Sequence, residues 1–200
     1  MIENTKITLS AKELELVCNR EWILTKHAII EKVYNVFGNL SISMQTMVNN
    51  SNLSPEIKQT TPKISKGENY LLLPYVMLDY PRYFEPENTF AIRTFFWWGK
   101  SMSIHLLISG NYQKEMLNNL ITHFAVLQEK DFAICVAETP WQHHFEKDNY
   151  VSLKEYTLNE FAVILHRKSF VKIGRSIALE QWDEVADFLL ESFSLVVKIV

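Results

Sequence analysis

The segment 72–110 holds the densest group of side chains that could bind or react with a ligand. An arginine, a histidine and several aromatic residues lie close together there, and the candidate ligand-binding residues are Arg93, Phe95, Trp97, His105 and Tyr75. A guanidinium group presents a planar set of donors that fits a carboxylate or phosphate, and aromatic rings add stacking surfaces. We therefore expect a non-enzymatic binding module that holds a small anionic or aromatic ligand, or a protein partner, on the face that carries Arg93.

Three other interpretations of this segment stay open. Arg93 could be half of a structural ion pair with Asp79 or Glu138, since arginine–carboxylate pairs are common in folded proteins. His105 and Asp79 could act as a catalytic acid–base pair in a small hydrolase or transferase, which requires hydrogen-bond contact inside a pocket. A homodimer joined through Trp97 and Trp98 is the third interpretation, and it requires a contiguous exposed apolar patch.

A second polar cluster follows a predicted strand and consists of Trp141, His143, His144 and Glu146. Adjacent residues on an extended chain point in opposite directions, so the two histidines cannot easily face one metal ion. No third ligand is evident nearby, and we expect no metal site here. Arg175 stands among apolar residues of another predicted strand. It could bind a ligand there, but an internal salt bridge or an edge-strand position explains it as well.

Standard catalytic motifs are absent from the sequence. None of the five glycines is spaced as in a GxxxxGK[ST] phosphate loop or a GxGxxG dinucleotide loop. There is also no HExxH, no CxxC and no GxSxG motif. We therefore expect no cofactor, although a catalytic site can still be assembled from residues that are distant in sequence.

Composition and charge are those of an ordinary globular protein. The chain has 200 residues, of which 48% are hydrophobic and 22% charged, so we expect a single domain over residues 1–200. The net charge is −3 and no basic block occurs, which argues against nucleic acid or an anionic membrane as a partner.

Two further features indicate the compartment. Cys18 and Cys135 lie in apolar segments, and we expect both thiols to be buried and reduced. The chain begins without an apolar signal-peptide run and has no stretch of about 18 apolar residues. The expected location is the cytoplasm.

Alternating residues predict a β-hairpin formed by segments 90–98 and 102–109. A three-residue loop over 99–101 would pair Trp98 with Met102 and place His105 opposite Phe95. One face then collects the core residues Ile92, Phe96, Ile104, Leu106 and Ile108, whereas Arg93 and His105 share the other face. A slip of one residue would exchange the two faces, so burial favours a register that keeps them separate.

The whole pattern predicts an α+β fold, with a mostly antiparallel sheet of about five strands and helices packed on it. Strands are expected over 70–79, 90–98, 102–109, 132–136 and 170–179. A long N-terminal helix should begin at a capping box on Ser10 and end at Gly38, packing its apolar stripe on the sheet. A middle helix over 113–128, a helix from Thr157 to about His166 and a C-terminal helix over 180–198 should follow. Segment 49–69 is predicted to be a mobile loop.

Overall fold

The computed structural model describes residues 7–200, which form a seven-stranded antiparallel sheet with α-helices. The strands are β1 (Lys63–Tyr70), β2 (Leu73–Phe84), β3 (Thr89–Trp97), β4 (Ser101–Ser109), β5 (Ala133–Cys135), β6 (Tyr150–Ser152) and β7 (Phe170–Ala178). They are arranged in the order β1-β2-β3-β4-β7-β5-β6. The predicted α+β class is confirmed, with two more strands than expected, β1 and β6.

The helices agree in part with the sequence pattern. They are α1 (Ala11–Cys18), α2 (Arg20–Asn49), α3 (Pro55–Lys58), α4 (Gly110–Thr122), α5 (Phe124–Glu129), α6 (Leu158–Arg167) and α7 (Val185–Ile199). The capping box that opens α6 is present, with the Thr157 side chain accepting from the backbone of Glu160. The predicted middle helix is divided into α4 and α5 at His123. Within the described part of the chain, no helix is both long enough and apolar enough to cross a membrane.

The face of the sheet that packs against α2, α4 and α7 is the one predicted to form the core. All five residues assigned to it, Ile92, Phe96, Ile104, Leu106 and Ile108, are buried there. Alternation along β3 and β4 was therefore sufficient to identify the core face, because the side chains of a strand point to opposite faces in turn.

The exact register of the hairpin differs from the prediction by two residues. Trp97 pairs with Ser101 and Phe96 with Met102, so the expected pairing of Trp98 with Met102 is wrong. The connecting loop is 98–100, with Gly99 at a positive φ of 66°. A slip of two residues keeps every side chain on its face, so the hydrophobic pattern cannot distinguish the two registers. As a result, His105 lies opposite Arg93.

The N-terminal helix begins as predicted but continues further and is interrupted. The reciprocal capping box between Ser10 and Glu13 is present. The helix is interrupted at Asn19. The side chain of Asn19 accepts a hydrogen bond from the backbone N–H of Trp22 and thereby caps the start of α2. The predicted end at Gly38 is wrong, because the buried stripe of α2 continues through Leu40 and beyond and holds the glycine inside the helix.

The apolar stripe of this N-terminal region enters the core only from Ile30 onward. Helix α1 has no buried residue at all. The expectation that the entire stripe packs on the sheet is therefore wrong for α1 and the first turn of α2. Cys18 lies in this part and is exposed, contrary to expectation, whereas Cys135 is buried; both are free thiols.

Segment 49–69, predicted to be a loop, contains α3 and most of β1. Ile57 of α3 is buried completely. β1 is an edge strand in which polar residues leave the outer side exposed, so its sequence lacks the apolar alternation of a central strand. Gly67 faces the ring of Tyr75 on β2, where an added Cβ would lie 2.5 Å from the ring.

Gly38 offers a test of the α2 assignment. It is inside a helix, and a Cβ at this position would meet nothing within 4 Å. Gly38→Ala should raise the free energy of unfolding by about 1 kcal/mol, because alanine loses less backbone entropy in a helix. Gly99→Ala is the matched control, since its Cβ also meets nothing but its φ is 66°. That control should be destabilised. Urea unfolding measures both, and a destabilised Gly38→Ala would contradict the assignment.

Candidate functional site

The second face of the sheet is covered by the segment 136–149, here called the covering loop. It connects β5 to β6 and has neither helix nor strand. Backbone groups in such a loop need hydrogen-bond partners once they are buried. For several of these groups the partners are polar side chains of the sheet, chiefly the hydroxyl of Tyr70 and the amine of Lys172.

Arg93 and Asp79 form a two-pronged ion pair across β3 and β2, where they are direct neighbours. Nε of Arg93 donates to Oδ1 of Asp79 at 2.6 Å, and Nη2 donates to Oδ2 at 2.9 Å. The side chains are only 15% and 8% exposed, respectively. The structure thus has the ion pair with Asp79 that was one alternative interpretation of Arg93.

The third nitrogen of the same guanidinium reaches the covering loop. Nη1 of Arg93 donates to Nε2 of His143 at 2.9 Å. An arginine always donates, so Nε2 of His143 must be an acceptor. Burial is the main cause that lowers the pKa of His143 well below 6.5, and the positive charge of Arg93 adds to it. The ring is therefore neutral, and its one proton is on Nδ1.

Lys172 of β7 lies on the other side of His143 and is 1% exposed. Its Nζ is 2.8 Å from the carbonyl oxygen of Pro140, contacts that of Gln142, and is 3.1 Å from Nδ1 of His143. Burial lowers the pKa of Lys172 to about 7, and the nearby Arg93 charge acts in the same direction.

Hydrogen-bond geometry independently favours a neutral Lys172. Because Nδ1 of His143 carries the proton, it donates toward Nζ, and only an uncharged amine has a lone pair to accept that bond. A neutral amine also has two protons, which match the carbonyl oxygens of Pro140 and Gln142. An ammonium group would instead place a third proton against the proton of His143. Lys172 therefore holds the covering loop best in its uncharged form.

His105 is on the same face of the sheet but belongs to a separate series of hydrogen bonds between uncharged groups. Its Nδ1 is 2.7 Å from the hydroxyl oxygen of Tyr150, and its Nε2 is 2.9 Å from Oγ of Ser103. Burial lowers the pKa of His105 well below 6.5 and raises the pKa of Tyr150 well above 10. Gly174 on β7 leaves room for the imidazole, since an added Cβ would be 2.8 Å from Nδ1 of His105.

Tyr70, at the end of β1, forms hydrogen bonds with residues 143 and 144 of the covering loop. Its hydroxyl accepts the backbone N–H groups of His143 at 2.6 Å and His144 at 3.1 Å. It also lies 2.9 Å from Nδ1 of His144, whose Nε2 is 3.3 Å from Asp148. The two adjacent histidines thus have different partners, as their alternation implied. Among residues 7–200, no group of three or more histidine, cysteine, aspartate or glutamate side chains is placed to hold a metal ion.

The predicted site residues are together, but they are covered. Arg93, Phe95, Trp97 and His105 share the second face as expected, and Tyr75 stacks on Phe95 with ring centroids 5.4 Å apart. The structure does not form the hypothetical acid–base pair of His105 with Asp79. Each of those two side chains has other partners, because Arg93 engages the carboxylate and Tyr150 and Ser103 engage the imidazole.

Sequence reasoning missed the roles of Lys172, Tyr150 and Tyr70. The one available signal was Lys172, a charged residue between the apolar Val171 and Ile173 in β7. Tyr150 and Tyr70 gave none, because their roles depend on a loop that comes from a distant part of the chain. Arg175, on the helix-covered face, lies 3.4 Å from the half-exposed carboxylate of Glu191 and 4.3 Å above the Phe188 ring centroid. It is therefore paired, but with a partner at the surface and not with an internal one.

No family model matches the chain, and neither a curated protein nor a solved structure gives a match. The functional argument therefore depends on geometry. Donors and acceptors of the polar cluster are engaged with one another, so the cluster as it stands fixes the covering loop to the sheet.

Replacing Arg93 tests whether the ion pair supports the fold. Arg93→Ala should lower the free energy of unfolding by about 3–5 kcal/mol, because it leaves Asp79 charged and buried without a partner. The double variant D79L/R93M is the control, since it removes both charges at similar volume and should recover most of the loss. Chemical denaturation measures both variants. An Arg93→Ala protein as stable as the wild type would show that the pair is dispensable.

Stability should also rise with pH, for two separate reasons. The folded pKa values of His105 and His143 lie below 6.5, so the unfolded state takes up more protons as the pH falls past 6.5, and acid destabilises the fold. The folded pKa of Lys172 is about 7, whereas an unfolded lysine titrates near ~10.4. Between those values the unfolded state again binds the extra proton, so the free energy of unfolding increases as the pH rises.

Urea unfolding at several pH values measures this dependence. The contribution of Lys172 should approach about 1.4 kcal/mol per pH unit between its two pKa values. Lys172→Met should remove the rise of the free energy of unfolding with pH between about 7 and ~10.4, and it should keep the loss of stability below pH 6.5. Lys114→Met, on the exposed surface of α4, should keep both effects. An unchanged rise above pH 7 in Lys172→Met would show that Lys172 is not the titrating group.

Proposed function

We propose that the protein is a binding module that holds a protein partner on an exposed apolar surface at its N-terminal end. The surface has two parts. One is the arm, defined as residues 7–24, which includes α1 and the first turn of α2. The other is a groove beside it. The single observation that carries the proposal is that α1 buries none of its residues although its sequence is rich in large apolar side chains.

Eight large apolar side chains of the arm are each at least 37% exposed. They are Ile7, Leu9, Leu14, Leu16, Val17, Trp22, Ile23 and Leu24. Apolar residues scattered singly over a protein surface are common, whereas eight of them grouped in one short segment are unusual. Exposed apolar groups of this kind mark interaction sites.

The length of α1 supports the same conclusion. It has eight residues. Isolated helices shorter than about 12–15 residues are marginal in water, and most helices in proteins are stabilised by packing of an apolar face. The capping box on Ser10 defines where α1 begins, but a cap adds only about 1 kcal/mol. A partner that covers Leu14 and Val17 would provide the packing.

The groove has a volume of about 440 Å³ and lies between α2, the tip of the β3–β4 hairpin and the segment Leu179–Glu184. Its lining is almost entirely apolar and consists of Ile29, Lys32, Phe96, Trp98, Gly99, Leu179 and Trp182. The arm adjoins it, since the rings of Trp22 and Trp98 have centroids 5.9 Å apart. The arm and the groove thus form one continuous surface.

The face that carries Arg93 supports ligand binding less well. A small anion would have to compete with Asp79 for the guanidinium and displace the covering loop, which Tyr70 and Lys172 hold in place. The dimer interpretation named Trp97 and Trp98. Trp97 is 7% exposed and packs against Tyr70, whereas Trp98 lines the groove. Of the functions considered from the sequence, binding of a protein partner is therefore the one that we retain, at a different surface.

The arm variant L14S/V17S tests the proposal. Immobilised wild-type protein should retain at least one protein from an extract of its own cells, and the arm variant should retain much less of it. The loss should be roughly a hundredfold in affinity, because two buried apolar contacts are removed from an interface. Quantitative mass spectrometry of the retained proteins measures this, with the chain itself counted among them.

The matched control is L158S/V163S, which removes one leucine and one valine that are each 46% exposed on α6. It should retain the same proteins as the wild type. The proposal fails if the wild type retains no protein, its own chain included, or if the arm variant and the control retain the same set.

A further inference from the structure

We propose that the covering loop is a pH-operated cover, in which protonation of Lys172 releases residues 140–144 from the sheet while the sheet itself stays folded. Release uncovers the guanidinium of Arg93 and the ring of Phe95, which His143 otherwise covers. Neither the arm nor the groove contributes a residue to these contacts, so the cover acts independently of the proposed function.

Residues 140–144 are held to the sheet by hydrogen bonds with three of its side chains. These side chains are Tyr70, Arg93 and Lys172. The large apolar residue of the segment, Trp141, is 57% exposed, and its buried side chains are the polar rings of His143 and His144. Little apolar burial therefore opposes release, and segments of this kind open at the low end of the range of local unfolding free energies.

Of the three side chains, Lys172 is the one whose bonds depend on a proton. Its Nζ contacts the carbonyl oxygens of Pro140 and Gln142 and lies 3.1 Å from Nδ1 of His143, so all of these contacts fall within residues 140–144. Arg93 donates to Nε2 of His143, which leaves the ring proton on Nδ1, directed at Nζ. An ammonium group would place a proton against that proton. The closed arrangement therefore fits only the uncharged amine.

The charges around Lys172 act in the same direction. The titratable or charged groups that surround its amine are Arg93 with its partner Asp79, His105, Cys135, His143 and Tyr150. Asp79 is the one carboxylate of this set, and Arg93 engages it. The thiol of Cys135 donates to Oδ1 of Asn149 at 3.3 Å and is therefore uncharged. A charged Lys172 would be a second buried cation beside a single carboxylate, and release into water removes that cost.

The effect of pH on release has a definite sign. Burial lowers the pKa of Lys172 to about 7 in the closed form, whereas a hydrated lysine titrates at about 10.4. Between these values release takes up a proton, so a lower pH favours it, and below about 7 Lys172 adds nothing further. Burial also lowers the pKa of His143 well below 6.5, so release takes up a second proton below pH 6.5 and the trend continues.

Amide hydrogen exchange of the wild-type protein at pH 9 and pH 7 tests the cover. The protection factors of the His143 and His144 amides, corrected for the intrinsic rate at each pH, report the release equilibrium. They should fall roughly fiftyfold from pH 9 to pH 7, which is the change that the two pKa values of Lys172 imply. At each pH they should be at least about tenfold smaller than those of β4 amides, because the segment opens without unfolding the sheet.

Two lysine variants identify the titrating group. Lys172→Met removes the amine, and the protection factors of His143 and His144 should then differ by less than about threefold between pH 9 and pH 7. Lys168→Met is the matched control. Lys168 also donates to a carbonyl oxygen of the covering loop, that of Ala137 at 2.8 Å, but this bond lies outside residues 140–144. The control should keep the roughly fiftyfold change.

Each outcome supports the cover or overturns it. Wild-type protection factors that do not change between pH 9 and pH 7 overturn it, and so do values equal to those of β4, because release would then be global unfolding. A full pH dependence in Lys172→Met overturns the role of Lys172. If that variant does not fold, ¹⁵N NMR of Nζ in the wild type decides. Loss of the Lys172 proton near pH 7 supports the cover, whereas an ammonium group that is still charged at pH 9 overturns it.

Discussion

The central strand β4 is buried on both of its faces, and this constraint determines how the rest of the molecule is arranged. Seven consecutive residues between Ser101 and Ser109 are shielded from solvent. One face is apolar and is covered by helices, whose side chains pack on it without any polar partner. The other face carries charged and polar groups as well as aromatic rings. Its cover must therefore satisfy hydrogen bonds as well as exclude water.

The covering loop meets that requirement through a chain of donors and acceptors. Asp79 fixes Arg93, Arg93 sets the proton position on His143, and His143 in turn favours the uncharged form of Lys172. The loop is thus held by groups whose protonation states depend on one another. At the other end of β3, the chain leaves the sheet at Trp98, which forms one wall of the groove. The rigid sheet therefore supports the covering loop and the groove at once.

Sequence pattern predicted the core face and the capping boxes, because alternation and cap chemistry are local. It missed β1, whose exposed polar residues resemble a loop. An apolar stripe also looks the same whether it faces a sheet or solvent, so the exposure of α1 was not predictable from periodicity. Arg93, Phe95, Trp97 and His105 were correctly grouped on one face. His143, the partner of Arg93, and Tyr150, the partner of His105, come from distant segments, and no local signal connects them.

Amide hydrogen exchange in a Tyr70→Phe variant most directly tests the claim that side chains of the sheet hold the covering loop in place. The backbone N–H groups of His143 and His144 donate to the hydroxyl of Tyr70, so they should exchange slowly in the wild type. Without that acceptor the same two amides should exchange roughly fivefold faster or more, because one hydrogen bond contributes about 1 kcal/mol. Amides of β4 should exchange equally slowly in both proteins. Equal rates at His143 and His144 in the variant and the wild type would contradict the claim.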